Sequence, residues 1–567
     1  MQKKTGEHLK KICLELLSIS CASLLLMSLF SFVTLAENKN TSGNLGTDDK
    51  ISTTLSSKIA EASKAEQIPI IILLNNQSIP FRTLKGKSQI ENEQKNLMAF
   101  LRNSESDKNV QKVKPIAIVN AVAATVTPDV IVSLAKRPDI SKIELDEVVS
   151  IAEDHIHPRK QINQSCIRHS NAWGVDKIGA PEVWQQDITG KGITVAVIDS
   201  GIDSTHPDLD DNPGTNDPKV VGWIDYINGK KSPYDDYGHG THIAGIISGT
   251  GASGVHTGVA PGTKLIGAKA FDQSGSGYQS DVILAFEWAV NKGARIISFS
   301  SGKPQHNSSF TIAINKVVAE GVIPVVAAGN SGPGSNTIYC PGDELNSTTV
   351  GATDTSDVIC SFSSRGPVDL YGQHYIKPDV SAPGIDITST VPVWYGTLYD
   401  SINGTSVAAP HVAGTVALIL EENPTLKPSE IKHILKSTAV HLGSAGKNND
   451  YGSGRINAYE AVFYKFVTPI ANFSSDVTKG FVPLSIMFTD LSQNATGWNW
   501  DFGDGSNSTK QSPKHTYSAT GIYTVKLTVS NEAGRNTEIK KCYINVKPVS
   551  SKMVTVFSAP PTQEMHH

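Results

Sequence analysis

The feature that most constrains this chain is a set of short, nearly uninterrupted apolar runs, each ending in a small polar residue. ITVAVID (193–199), ARIISFS (294–300) and GVIPVVAAGN (321–330) lack the apolar–polar alternation of a half-exposed strand. Such runs suit strands covered on both faces of a parallel sheet. Between them, SDVILAFEWAVNKG places Ile283, Phe286 and Val290 on one helical face, and SFTIAINKVVAEG offers Ile312, Val317 and Ala319 for packing. Strand, helix, strand at this spacing predicts a parallel α/β unit, expected over 163–466. Sheets of this kind place ligands at the carboxyl ends of their strands.

At 567 residues the chain is long enough for three or four folded units. A net charge of -4 with 18% charged residues gives no broad basic surface, so nucleic acid is not an expected partner. Lys3, Lys4, Lys10 and Lys11 precede the apolar run LELLSISCASLLLMSLFSFVTLA, and small residues follow. That order predicts a secretory signal over 1–36, with a retained membrane anchor as the alternative. Either way the remainder lies outside the cytoplasm. Residues 37–60 are polar and read as a linker.

A small α/β domain is expected over 61–160, in the order β-α-β-α-β. Its strands are IPIIILL from Ile68, IAIVNAVAATV (116–126) and a stretch over 143–151. Its helices are one with Leu97, Phe100 and Leu101 on one side and one opened by Thr127, Pro128 and Asp129. Over 469–547 the pattern becomes all-β. Tyr523, Val525, Leu527 and Val529 alternate, and WNWDFGDGS is a strand followed by a tight turn. Residues 548–567 read as a tail. Cys13 and Cys21 fall in the leader. Cys166, Cys340, Cys360 and Cys542 are an even number that permits disulfides, and no close pair gives a zinc spacing.

Four positions carry candidate chemistry. Asp199 ends the strand ITVAVID. His239 lies in DDYGHGTHIAGIISG, at the start of a helix whose small residues allow close packing; His242 sits one turn in, as a structural neighbour. No HExxH arrangement accompanies the two histidines, which argues against metal ligation. Ser406 opens the apolar run of NGTSVAAPHVAGTVALILEEN, where Pro410 fits only an opening turn, so the helix must begin near Ser406. Asn330 ends GVIPVVAAGN and carries an N–H donor. Each alone has an ordinary explanation as a cap or turn residue.

Taken together, VAVIDSGID, HGTHIAG, AAGN and GTSVAAPHVAG resemble the hallmark segments of the subtilisin-like serine peptidases, in the same order. The resemblance covers about 300 residues. It implies Ser406 as nucleophile, His239 as base, Asp199 as the group orienting the imidazole, and Asn330 as an oxyanion donor. It also implies that Ser300, Ser301 and Gly302 pair with an extended peptide through main-chain atoms, which favours broad specificity. The family commonly has Asn where Ser298 stands.

No cofactor is implied for the chemistry. THPDL (205–209) is similar to a segment whose Asp binds calcium, which implies Asp208 as a structural calcium ligand. The loop SGTGASGVHTGVAP lacks the family's Asn-rich calcium loop.

VNAVAATVTPDVIVSLAKRPDISKIELDEVV resembles the inhibitory propeptide of these enzymes, which implies that the chain's own front domain is a temporary inhibitor. The rear domain resembles a PKD domain, which implies adhesion to protein, cell-wall material or an insoluble substrate. There Asp501 and Asp504 read as turn residues. The expectation is a secreted or cell-surface serine endopeptidase acting on proteins or peptides. A catalytically inactive adhesion protein and an esterase are the alternatives. The presence of all four residues argues against the first, and a nucleophile that follows both acid and base argues against the second.

Overall fold

The computed structural model describes residues 47–105, 108–151, 170–210, 218–531 and 533–549. The expected leader, Cys166 and most of the expected tail lie outside these residues.

The front domain contains α1 (Thr53–Glu61), β1 (Ile68–Leu74), α2 (Leu84–Glu105), β2 (Val110–Ile116), β3 (Ala121–Val126), α3 (Pro128–Ala135) and β4 (Ile140–Leu145). Its sheet has the order β2-β3-β1-β4, and β1 is antiparallel to both neighbours. The unbroken apolar run of β1 has a simple cause. Ile68, Ile70, Ile72 and Leu74 join Leu97, Leu101, Ile131 and Leu134 in the domain's own core. Ile71 and Leu73, on the opposite face, join a second core that contains Phe286 and Phe310. A strand buried on both faces has no position left for a polar side chain. Each fully buried Ile or Leu contributes about 1.5–3 kcal/mol.

Three expectations change here. The stretch read as linker ends in α1, because the Ser52 hydroxyl accepts the Leu55 N–H (3.3 Å) and Leu55 is fully buried. The single strand expected over 116–126 is instead a hairpin: the chain turns at 117–120, where Asn120 has φ 37°. The strand expected over 143–151 divides into β4 and β5 (Val148–Ile151).

In the larger unit seven strands form one parallel sheet. They are β6 (Thr194–Asp199), β7 (Val220–Asp225), β8 (Lys264–Lys269), β10 (Ile296–Phe299), β12 (Ile323–Ala327), β13 (Thr348–Thr353) and β14 (Val380–Pro383), in the order β14-β13-β12-β10-β6-β8-β7. Two short strands, β9 (Ser276–Tyr278) and β11 (Ser301–Gly302), lie outside that sheet. Val195 and Val197 of β6 pack in the core that holds α4 (His239–Ser248) and α7 (Thr405–Glu422). Ala196 and Ile198 face the core that holds α5 (Gln279–Asn291) and α6 (Ser308–Ala319). The alternation along β6 is thus between two cores, as expected for a central parallel strand.

The rear domain is all-β. A three-stranded sheet (Phe473–Ser475, Leu484–Asp490, Lys514–Tyr517) and a five-stranded sheet share a core that includes Phe473, Phe488, Trp500 and Tyr517. Val525, Leu527 and Val529 are buried, as the period of two predicted. Asp504 accepts from the Ser506 N–H (3.1 Å) and hydroxyl and pairs with His515 at 2.8 Å, which fits its reading as a turn residue.

Candidate active site

Asp199, Asn330 and the segment from Ser300 all emerge from the carboxyl ends of parallel strands β6, β12 and β10. Asp199 is 1% exposed, and its Oδ1 accepts the N–H of Ser200 at 2.7 Å. His239 Nδ1 lies 2.8 and 2.9 Å from the two carboxylate oxygens of Asp199. A carboxylate offers only acceptors, so Nδ1 carries the proton and Nε2 holds the lone pair. The tautomer that a general base needs follows from this contact.

The local sequence explains how the two approach. His239 is the first residue of α4, after Gly238 in a left-handed conformation (φ 107°). A Cβ on Gly240 would stand 2.1 Å from the Gly201 carbonyl oxygen and 3.0 Å from Asp199 Cβ, so only glycine lets α4 meet the end of β6. Sequence reasoning missed Asp235. It is 3% exposed and caps α4 by accepting from the Thr241 N–H (2.9 Å) and hydroxyl (2.7 Å), while its other oxygen takes the Ser200 hydroxyl (3.0 Å). The acidic pair in DDYGHG was the available signal.

His242 and His411 are neutral framework groups. Burial pushes His242 down to about 3, with its Nε2 3.2 Å from the Asp400 carbonyl, and burial pushes His411 down to about 4.

Ser406 is the second residue of α7 and is fully buried. Pro410 stands within α7, beyond the opening turn to which it had been assigned. Lacking an N–H, it leaves the Ser406 carbonyl without its helical donor. The Ser300 hydroxyl supplies one, at 2.8 Å. Leaving such a carbonyl unpaired costs about 1–3 kcal/mol, so Ser300 holds the mouth of α7 as well as continuing a strand edge.

Thr405 makes the second tie. Its N–H and hydroxyl donate to Asn330 Oδ1 at 3.0 and 2.9 Å, and its hydroxyl oxygen accepts the Gly329 N–H at 3.0 Å. Asn330 Nδ2 is buried and has no partner.

Ser301 and Gly302 pair antiparallel with Ile151 and Ser150 of β5, whose other edge pairs with β9. Ile151 N–H also donates to the Gly275 carbonyl at 2.9 Å, and Val149 is fully buried. An extended segment of the front domain therefore fills a slot between two edges. Two acidic residues dock it beside this slot. Asp146 Oδ1 accepts the Ser280 N–H at 2.9 Å at the start of α5, and Glu144 accepts from Ser308 and Ser309 at the start of α6. Glu287 returns the contact by accepting the Ala117 and Ile118 N–H groups at 2.7 and 2.9 Å.

Among the described residues, both carboxylate oxygens of Asp208 accept from protein donors. It is fully buried, its Oδ1 accepts the Ser253 N–H (2.7 Å) and its Oδ2 the Tyr399 hydroxyl (2.7 Å). A cation requires converging oxygens, whereas these neighbours are donors. Cys340 and Cys360 are buried free thiols and Cys542 is an exposed one, so the disulfides that the cysteine count permits do not join these three.

Comparison with known proteins agrees with this geometry. Residues 190–454 match the subtilase family and residues 467–546 match the PKD domain. The chain is 34% identical to an alkaline protease of Alkalihalobacillus alcalophilus over 411 residues, 72% of this chain and 96% of the relative. It is 36% identical to subtilisin E of Bacillus subtilis (strain 168) over 360 residues, 63% of this chain and 84% of the relative. It is 40% identical to subtilisin Savinase of Lederbergia lenta over 289 residues, 51% and 97%. With a buried Asp–His pair at the carboxyl end of the central strand β6 and these matches across it, the chain belongs to the subtilase family and is a serine endopeptidase that carries a C-terminal PKD domain.

Proposed function

We propose that Ser406 is the nucleophile and that the front domain is a temporary inhibitor which this serine removes. The observation that carries the reading is β5 seated against Ser301 and Gly302, in the manner of an extended substrate. As Ser406 Oγ attacks a carbonyl carbon, its proton passes to His239 Nε2. Asp199 stabilises the resulting imidazolium. Asn330 Nδ2–H and the Ser406 N–H receive the oxyanion. His239 then protonates the leaving amine, and water resolves the acyl-enzyme by the same steps. Recognition through the main chain of Ser300, Ser301 and Gly302 supports broad specificity for extended polypeptides.

The domain scheme is a leader over 1–36, a front domain that reaches 160, a peptidase domain over 163–466 and a PKD domain over 469–547. An extracellular location fits the basic and apolar N-terminus. The PKD domain is assigned adhesion to protein, cell-wall material or insoluble substrate.

The test of the nucleophile is covalent. An organophosphorus fluoridate should modify Ser406 alone in the mature enzyme, read by peptide mapping, with loss of activity in proportion. Inactivation with Ser406 unlabelled overturns the assignment.

A separate expectation concerns the PKD domain. Truncation after Phe466 should leave turnover of a short soluble peptide within about twofold of the parent, because all four reacting groups precede that point and the rear domain has its own core. Turnover of insoluble protein should fall. A large loss on the short peptide, in a truncated chain that melts normally, would show that the domain shapes the cleft.

A further inference from the structure

Behind the edge that holds β5 lies a cluster that peptide hydrolysis does not use. One ligand atom from each of His306, Cys340, Asp343 and Glu344 lies within 4.8 Å of every other. We propose that these four side chains bind a single zinc ion, which fastens the Ser301–Gly302 edge to the turn at 340–344.

The donor set selects the metal. One thiolate, one imidazole nitrogen and two carboxylate oxygens suit four-coordinate zinc, whereas calcium and magnesium take oxygen ligands. Ideal zinc–ligand lengths put tetrahedral ligand atoms roughly 3.5 Å apart, so the His306–Asp343 pair at 2.9 Å must open slightly and the wider separations, up to 4.8 Å, must close, a side-chain adjustment.

His306 Nδ1 faces both carboxylates, 2.9 Å from Asp343 Oδ2 and 3.5 Å from Glu344 Oε1. Asp343 Oδ1 is buried with no partner, on a side chain only 8% exposed. A buried carboxylate oxygen without a donor is costly, and a cation removes that cost.

The surroundings have the form of a metal site's outer shell. His306 Nε2 lies 2.9 Å from the Tyr371 hydroxyl, so the imidazole proton can sit on Nε2 while Nδ1 binds the metal. The Thr311 hydroxyl donates to Glu344 Oε1 at 2.6 Å, and the Tyr375 hydroxyl donates to the Asp343 carbonyl at 2.5 Å. Cys340 is fully buried, and its thiol gives up one proton to solvent on ligation. Its backbone exchanges two hydrogen bonds with Lys303, the residue after Gly302, at 3.1 and 2.8 Å. The His306 side chain, 23% exposed, leaves a path for the ion. No close cysteine pair marks the site in sequence, because its ligands come from two separate segments.

The test uses the untagged full chain carrying Ser406→Ala, so that self-digestion does not intervene. After equilibration with zinc and desalting, elemental analysis should give about one zinc per chain, and zinc should raise the melting temperature. Cobalt in place of zinc should give the near-ultraviolet thiolate charge-transfer band. Cys340→Ser should abolish that band, and His306→Ala should lose the metal. Tyr371→Phe, at a residue 69% exposed, should weaken zinc binding about 10–100-fold without altering the melting of the metal-free protein. Should Cys340→Ser fail to fold, His306→Ala and Tyr371→Phe carry the test. A chain that retains no zinc, or one whose zinc and cobalt spectrum are unchanged in His306→Ala, overturns the proposal.

Discussion

Ser406→Ala is expected to lower kcat on a soluble peptide about 10⁶-fold and to leave the front domain attached. The first magnitude is the one established on a subtilisin, where loss of the serine removes nearly the whole contribution of the triad. The substitution deletes one oxygen from a fully buried position, so stability should change by no more than about 1 kcal/mol. The second outcome rests on β5. Ile151, the last described residue of the front domain, pairs with Ser301, one residue from the Ser300 hydroxyl that holds the Ser406 carbonyl. The first cut is therefore expected close behind Ile151, within the window 150–163. Attachment keeps the segment at high effective concentration, so the slot stays filled until that cut. The measurement is intact mass and N-terminal sequencing of parent and variant, secreted by a host without other proteases. Release of the front domain from the variant at the same bond and rate would assign maturation to another agent.

The parts legible in sequence were those whose determinants are local. The runs ending at Asp199 and Asn330 read as buried strands because both faces of those strands meet a core. The start of α7 followed from Pro410, although the proline stands deeper in the helix than the opening turn. It is tolerated there because Ser300, 106 residues away in the chain, donates to the carbonyl that the proline leaves open. No local pattern can announce such a partner. The same holds for Thr405 and Asn330, 75 residues apart.

Other departures have equally specific causes. In the front domain, 116–126 is apolar but for Asn120 and Thr125, and the turn ending at Asn120 converts one strand into two. Helix α1 hides in a polar stretch because a single side chain, Leu55, is fully buried on it. Asp208 is expected as a ligand only because THPDL is similar to a family segment whose Asp binds calcium. Its described hydrogen-bond partners in space, Ser253 and Tyr399, are both donors.

Removing the Asn330 side chain is expected to lower kcat by about 10²–10³ with little change in KM, again a range established on a subtilisin. The reason lies in the two ends of the amide. Oδ1 takes two donors from Thr405, and that fixes which way the group faces. Nδ2 is consequently held in place, buried and without a partner. An unpaired buried donor costs about 1–3 kcal/mol, a cost repaid when negative charge develops beside it in the transition state. Two variants separate this role from a structural one. Asn330→Leu removes the donor and the Thr405 contact together, so both kcat and stability should fall. Asn330→Asp keeps an acceptor for Thr405 but puts a carboxylate oxygen where the donor stood. Its melting temperature should stay near the parent's while kcat falls at least as far as in Asn330→Leu. Steady-state kinetics on a short soluble peptide, with thermal melts of the same preparations, measure both quantities. A folded Asn330→Asp enzyme with the parent's kcat would take Asn330 out of the oxyanion site and leave it only the task of anchoring α7.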